Sequence, residues 1–365
     1  MADKNIFDII TAEAMAAYYE KLASNKIPYL GTGLFPSKKK QGLRLEWIKG
    51  HDSLPVMLQP SAFDAKPLLR DRGGITMETT RMPFFRESAR IGEEERQQLL
   101  QFRSENHGAY ADAILEKIFD DVTGLIESAG VNAEVMRMSL LGNDGVINIA
   151  TPSAQGQVVG YSYNFDPNGS WAAKNKTTLT GTAVWSDTTN SDPIKDIMDI
   201  KREAMKQGKN ITRAVIGYDT YQDLCANEKV RKQMFPGIYV SPNVVEGYFS
   251  DEEIIKFIEG KTGIRFAVYT KTYKDFTGKT QYFFPQSGVA CFFNSMALGT
   301  TWYGTTPEEA DLMSGSGDGA TCRVVDNGVA VCTKKESLPV NVMTWVSEIV
   351  LPSYEGMDDV FVINY

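Results

Sequence analysis

The chain has 365 residues, of which 42% are hydrophobic and 23% charged, and its formal net charge is −8. This length can supply two or three domains of roughly 150 residues each, and the composition excludes wholesale disorder, collagen and coiled coil. Because an acidic surface repels the phosphates of nucleic acid, a dedicated DNA-binding protein is not expected.

The first segment, residues 1–45, predicts an extended arm. A short amphipathic stretch is followed by glycines, prolines and three consecutive lysines, so we expect the segment to bury little. The N-terminus also lacks the basic start and sustained apolar core of a signal peptide, which predicts a soluble protein made in the cytosol.

The next segment, residues 46–90, predicts a long extended excursion. It contains four prolines, a Gly73-Gly74 pair and scattered β-forming residues. A loop of this length without a helix is uncommon in a compact domain and is usually functional or held by a partner.

A long helix is predicted after this loop. The acidic run Glu93-Glu94-Glu95 favours a helix start, and Gly130 is its expected end. Apolar residues recur at four-residue spacing along it, and they are Tyr110, Ile114, Ile118, Val122 and Ile126.

Alternating strands and turns are predicted for residues 135–190, with Leu140-Leu141 and Val146-Ile147 as strand residues flanking a turn at Asn143-Asp144-Gly145. From Ser191 onwards, short helices alternate with strands, which indicates an α/β domain. The predicted helices are 193–208, 219–226 and 251–259, and the predicted strands are 213–217, 264–270, 281–284, 289–293, 340–351 and 360–363.

A catalytic, metal or cofactor site is not predicted. His51 and His107 lie in unlike segments and cannot form a multi-histidine metal site, and the glycine-rich stretch 314–319 lacks the lysine of a phosphate-binding loop. A solvated helix face accounts for the carboxylates Asp196, Asp199 and Glu203.

The four cysteines form no Cys-x-x-Cys pair, and reduced thiols are the expectation for a cytosolic protein. A three-residue hairpin loop at 326–328 would place Cys322 opposite Cys332. The sequence leaves open whether these two cysteines pair.

Basic residues cluster in the first quarter of an otherwise acidic chain, and they are Lys38, Lys39, Lys40, Arg70, Arg72, Arg81, Arg86 and Arg90. One interpretation is simple solvation. The other is that they pair with acidic residues, such as the Glu93 to Glu95 run, on another copy of the chain.

The order of these segments resembles that of the major capsid proteins of tailed bacteriophages, which have the Hong Kong 97-type fold. Three motifs are similar to the phage lambda major head protein family, also called the capsid protein E family. They are 69–74 (Leu-Arg-Asp-Arg-Gly-Gly), 278–285 (Gly-Lys-Thr-Gln-Tyr-Phe-Phe-Pro) preceding the apolar strand 289–293, and 352–363, a turn and acidic spacer before a closing strand.

The resemblance implies an α+β (mixed α/β) fold of the Hong Kong 97 type. It divides the chain into an N-terminal arm (1–45), an extended loop (46–90), a spine helix with a peripheral domain (91–190), an axial domain (191–338), a peripheral return strand (339–352) and an axial closing strand (353–365).

The function implied is that of a major capsid protein, which self-assembles as hexamers and pentamers into an icosahedral shell around double-stranded DNA. The implied location is the virion, assembled in the host cytoplasm, with portal, scaffolding and decoration proteins as further partners. No membrane, sequence-specific DNA contact or cofactor is implied. The residues expected at subunit interfaces are Arg70, Arg72, Gly73, Gly74, Arg81, Glu93, Glu94 and Glu95.

Two other functions remain open from the sequence. A cellular protein compartment of the same fold would carry an enzyme cargo rather than DNA. A cytosolic hydrolytic or carbohydrate-active enzyme would need an acidic or nucleophilic pocket and a measurable turnover.

Overall fold

The computed structural model describes residues 29–49, 76–94, 97–98, 101, 108–152, 158–234, 250–294, 297–314, 320–325, 328–337 and 340–365. The chain divides into two compact units, each built from segments that are distant in the sequence. The first contains residues 1–46, 79–137 and 300–353, and the second contains 47–78, 138–299 and 354–365.

The helices in the described residues are α1 (Leu30–Leu34), α2 (Gly108–Gly142), α3 (Ala172–Asn175), α4 (Pro193–Lys206), α5 (Tyr218–Ala226), α6 (Glu228–Met234), α7 (Asp251–Thr262) and α8 (Pro307–Ser314). The strands are β1 (Ser37–Lys39), β2 (Arg44–Lys49), β3 (Thr76–Arg81), β4 (Phe84–Ile91), β5 (Val146–Pro152), β6 (Val158–Asn164), β7 (Lys176–Thr178), β8 (Arg213–Ile216), β9 (Arg265–Val268), β10 (Thr272–Lys274), β11 (Thr280–Tyr282), β12 (Val289–Phe293), β13 (Thr300–Tyr303), β14 (Ala320–Val325), β15 (Val329–Ser337), β16 (Val340–Ser353) and β17 (Phe361–Asn364).

The sheet of the first unit is organised around the long strand β16. On one side β16 pairs with β15, which continues to β14, and on the other side it pairs first with β4 and then with β13. β1 completes the sheet by pairing in parallel with β13. A run of apolar residues in β16, including Val350 and Leu351, is fully buried, because a central strand is covered on both faces.

A disulfide joins β14 to β15 in this sheet. Val325 pairs with Val329, so the three-residue loop at 326–328 has the predicted length, and Cys322 lies directly opposite Cys332. The two sulfur atoms are bonded, so the expectation of reduced thiols is wrong for this pair. Cys225 and Cys291 are free and buried, as expected for cysteines used as small apolar residues.

The long helix α2 is confirmed, and its buried stripe is confirmed at Val122 and Ile126. The side chains of Tyr110, Ile114 and Ile118 lie outside the described residues. The predicted end at Gly130 is wrong. The helix continues to Gly142 because the following turns carry further buried apolar residues, and the predicted strand pair Leu140-Leu141 is helical.

The expectation that residues 1–45 bury little is wrong for the part that the structure describes. Phe35 and Leu45 are fully buried in the first unit, and β1 is hydrogen-bonded to β13. The prolines and glycines that suggested an arm interrupt regular structure, but they do not prevent apolar side chains between them from packing.

The second unit contains a five-stranded sheet in the order β7-β17-β12-β8-β9. Its core includes Ile197 of α4, Ile258 of α7 and Phe292 of β12. The predicted helix starts are confirmed: the Asp192 side chain accepts from the Lys195 amide, and Ser250 forms a capping box with Glu253.

The described residues also form three two-stranded sheets, and they are β2-β3, β5-β6 and β10-β11. The predicted turn at Asn143-Asp144-Gly145 connects α2 to β5, with positive φ at Asp144 and Gly145. In the part of the chain that the structure describes, we find no helix with the length and apolar character needed to span a bilayer.

Candidate subunit-contact site

The residues predicted to make subunit contacts divide into two groups. Arg70, Arg72, Gly73, Gly74 and Glu95 lie outside the described residues. Arg81 is exposed at the end of β3, and Glu93 and Glu94 are exposed just after β4. The three described residues therefore have the exposure that a contact between subunits requires.

The structure adds a surface cleft of about 430 Å³ in the first unit, between β4, β16 and the start of α8. Alternation along β16 creates one wall, because Met343, Trp345 and Ser347 project from the same face of the strand. The lining residues are Arg86, Glu87, Ser88, Pro307, Glu308, Met343 and Trp345.

Glu308 is the polar centre of this cleft. Its Oε1 atom accepts from the Arg86 guanidinium and from Trp345 Nε1, the latter at 3.3 Å, and its Oε2 atom accepts from Ser347 Oγ at 2.9 Å. The carboxylate is almost completely buried, whereas about half of the Arg86 side chain is exposed. The charge of Arg86 is thus partly exposed to solvent, whereas its partner Glu308 is buried and accepts three hydrogen bonds.

Two of the predicted basic residues therefore have acidic partners within the same chain. Arg86 pairs with Glu308, and Lys39 pairs with the neighbouring Glu309. For these two residues, neither simple solvation nor pairing with another copy is the full explanation. Both carboxylates belong to the acidic first turn of α8, where the positive end of the helix dipole favours them.

A second polar cluster is buried beneath α1, around Arg137 of α2. Arg137 Nε donates to Thr301 Oγ1 at 2.8 Å, and its Nη2 atom donates to Ser37 Oγ at 3.4 Å. The Glu134 carboxylate lies one helical turn away, at 3.5 Å from Arg137 Nη1. One arginine thereby links α2 to the start of β1 and to β13.

Glu134 also fixes the approach of α1. Its Oε1 atom accepts from the Gly31 amide at 2.9 Å. A Cβ atom at position 31 would lie 2.5 Å from the other carboxylate oxygen and 2.9 Å from Arg137 Cδ, so only glycine fits here without displacing the buried pair.

Glu348 of β16 is a third buried group, on the face of the strand opposite Ser347. Its Oε1 atom accepts from Asn132 Nδ2 of α2 at 3.1 Å, and its Oε2 atom is buried without a hydrogen-bond partner. Burial raises the pKa of this carboxyl to about 8, against the opposing effects of the Asn132 hydrogen bond and the Arg137 charge. Burial therefore favours the protonated, neutral form of this side chain near neutral pH.

These three centres were not predicted from the sequence. The signal for the pair Glu134 and Arg137 is their spacing of three residues inside an otherwise apolar stretch of α2, and for Glu348 it is a single acid within an apolar strand. Both patterns place a charge on a face that must be buried, which favours a specific partner over solvent.

The carboxylates of α4 follow the predicted solvated pattern only in part. Asp199 and Glu203 pair with lysines or arginines on the exposed face of the helix. Asp196 is instead half-buried and accepts from Trp185 Nε1 at 3.0 Å, and desolvation raises its pKa. Within the described ranges, no group of three or more metal-ligating side chains comes together.

Comparisons with known proteins identify the family and the fold of this chain. The model of the family described as phage major capsid protein E matches residues 11–325. A comparison with curated protein sequences finds no match.

Solved structures are similar over nearly the whole chain. A protein assigned as a prophage capsid protein of Escherichia coli CFT073 has 14% identity and a TM-score of 0.56, covering 97% of this chain and 99% of its own. A phage-related protein from Bordetella bronchiseptica RB50 has 13% identity and a TM-score of 0.53, covering 97% of both chains. At these identities the likeness establishes the fold, which is the Hong Kong 97-type α+β fold.

Proposed function

The chain belongs to the phage major capsid protein E family and forms the icosahedral shell of a bacteriophage virion, and on that basis we propose that its subunits assemble as hexamers and pentamers around double-stranded DNA. The observation that carries this proposal is the family match over residues 11–325. The role of the family is structural, and we expect no catalytic turnover.

The charge of the chain supports a container for DNA. With a net charge of −8, the subunit offers phosphates little overall attraction, so packaged DNA can move along the inner wall instead of binding to it tightly. Assembly in the host cytoplasm, with portal, scaffolding and decoration proteins as partners, belongs to the same proposal.

The contacts that we propose between subunits begin at the loop of residues 46–90. Arg70 and Arg72 can each make bidentate bonds to a carboxylate, and Gly73-Gly74 allows the backbone to bend sharply beside them. Their proposed partners are the acids of the 93–95 run on a neighbouring subunit, of which Glu93 and Glu94 are exposed. Arg81 would contribute at the base of the same loop.

Electron microscopy of the overexpressed chain tests the assembly directly. We expect shells, tubes or capsomers, and DNA that survives nuclease treatment inside closed particles from infected or lysogenic cells. A chain that stays monomeric at every salt and protein concentration would contradict the proposal. Closed particles that hold a protein cargo and no DNA would identify a cellular compartment instead.

Shortening the loop of residues 46–90 tests the proposed contacts. Replacing residues 61–74 with a short Gly-Ser linker should leave both units folded by circular dichroism, because surface loops contribute little to a domain's own stability, while light scattering should show failed assembly. The milder Arg70→Ala/Arg72→Ala variant should lose more assembly at low salt than at high salt. A matched control, Lys195→Ala/Arg202→Ala, removes two exposed charges from α4 and should assemble normally.

A further inference from the structure

The hairpin formed by β10 and β11 stands apart from the larger sheet of the second unit. It is a two-stranded sheet of three residue pairs, from Thr272 opposite Tyr282 to Lys274 opposite Thr280. Two aromatic side chains are left in solvent, because Phe276 is 68% exposed and Tyr282 is 55% exposed. An isolated two-stranded hairpin is only marginally stable in water, so an uncovered aromatic surface on one needs a partner.

The tip that carries Phe276 is nevertheless well ordered. Asp275 Oδ1 accepts from the amides of Thr277 at 2.9 Å and Lys279 at 3.0 Å, and Gly278 supplies the positive φ that the turn needs. At the base, the Phe283 ring packs 4.8 Å from that of Tyr273. The aromatic tip is therefore preorganised, which lowers the entropy lost when it docks.

The hairpin is also basic. Residues 269–282 contain three lysines and one acid, Asp275, whose carboxylate is used within the turn. The ammonium groups of Lys274 and Lys279 are exposed and take part in no ion pair in the described part of the chain. A surface complementary to this hairpin is acidic and includes an apolar side chain that Phe276 can contact.

Such a surface is present on the packed pair of helices α5 and α7 of the same unit. The two helices together carry six acidic residues and two lysines. Tyr218 at the start of α5 is 50% exposed, lies beside the exposed carboxylate of Asp219, and stacks on Tyr221 at a centroid distance of 6.2 Å. Some of these carboxylates already have partners in the same chain, because Glu252 pairs with Lys256 and Glu253 belongs to the cap of α7. Asp219 is an exposed acid next to the aromatic pair, and together they are complementary to the basic hairpin.

We propose that the β10-β11 hairpin of one subunit docks onto the α5-α7 surface of a second copy, with Phe276 as its apolar anchor. The two surfaces differ, so the contact is heterologous, the type that forms a ring when the repeated rotation closes. This inference rests on the proposed self-assembly and identifies one pair of surfaces within a capsomer.

Site-specific cross-linking in the full chain tests this contact. The photoreactive residue p-benzoylphenylalanine replaces Phe276, and equal amounts of unlabelled and nitrogen-15-labelled subunits are mixed, assembled and irradiated. Mass spectrometry should find cross-links between light and heavy chains that map to residues 218–226 or 251–262. The same probe at Met205, which is 55% exposed on α4 of the same unit, is the matched control and should not reach these helices.

The outcomes separate the two proposals. Shells with inter-chain cross-links elsewhere, or with none from position 276, would overturn the docking contact and leave the capsid function intact. A wild-type chain that never associates would overturn both.

Charge reversal provides a second measurement. The Lys274→Glu/Lys279→Glu variant should weaken assembly by about tenfold or more at low salt and by less at high salt. Adding Asp219→Lys and Glu252→Lys should recover part of that loss. Unchanged assembly in the first variant, or no recovery in the second, would contradict the pairing of these surfaces.

Discussion

Replacing Glu348 with glutamine isolates the effect of one buried carboxyl on stability. In the folded chain its pKa is about 8, compared with an ordinary value of 4.5, because burial penalises the charged form. The unfolded chain therefore releases this proton at a lower pH than the folded chain does. Stability falls as the pH rises from about 4.5 to about 8, because over that range the unfolded state binds fewer protons.

The size of the effect follows from the pKa difference. At pH 7 the carboxyl must remain protonated about 2.5 pH units above its unfolded pKa, which costs roughly 3 kcal/mol at 1.36 kcal/mol per unit. Glutamine has nearly the same shape and does not titrate, so Glu348→Gln removes this cost. Relative to wild type, the variant should gain roughly 3 kcal/mol between pH 4.5 and pH 7.

Urea unfolding of the unassembled subunit, repeated at several pH values, measures this difference. The free energies of unfolding of wild type and variant should diverge as the pH rises and become parallel above about pH 8. The control is Glu87→Gln, an exposed position on the neighbouring strand β4, which should shift stability by no more than about 0.5 kcal/mol. Curves for Glu348→Gln that stay parallel to wild type from pH 4.5 to 8 would refute the assignment of a neutral buried carboxyl.

Three further substitutions test the described contacts. Cys322→Ser removes the bond to Cys332 and should destabilise the oxidised subunit by about 3 kcal/mol. Under reducing conditions the variant and the wild type should be equally stable. The same difference in stability under reducing conditions would contradict a disulfide effect. Arg137→Met leaves the Glu134 carboxylate buried without its cation and should lower the free energy of unfolding, measured in urea, by about 3 to 5 kcal/mol. Adding Glu134→Gln should restore part of this loss. If the effects of the two substitutions simply add, Arg137 and Glu134 are not coupled. Ile126→Asp places an unpaired charge at a position that is 1% exposed and should abolish soluble expression, whereas normal expression would show that this face of α2 is not buried.

Local signals in the sequence predicted the elements of the second unit well. The Asp192-Pro193 start of α4 and the Ser250 cap of α7 are chemical features of a helix end, and they act through residues only three positions away. The hairpin loop at 326–328 likewise placed Cys322 opposite Cys332, although pairing itself depends on redox conditions that no spacing encodes.

The rest depended on partners that are distant in sequence. The local sequence of β4 predicts part of an extended loop, but in the structure β4 pairs with β16, about 260 residues away. The Arg86 and Glu308 pair, the site of Arg137 and the contact of Glu348 with Asn132 likewise join segments that are distant in sequence. The end of α2 was misplaced because Gly130 lowers helix propensity by only about 1 kcal/mol, which the packing of the next three turns outweighs.

The interleaving of segments in both sheets has a consequence for the timing of synthesis. β1 finds its partner only when residues 301–303 exist, and β17 occupies a position between β7 and β12. At 5 to 20 residues per second, roughly 13 to 50 s separate the synthesis of residue 46 from that of residue 300. Throughout that interval a growing chain can complete neither sheet. A subunit with both sheets complete is therefore available only near the end of translation.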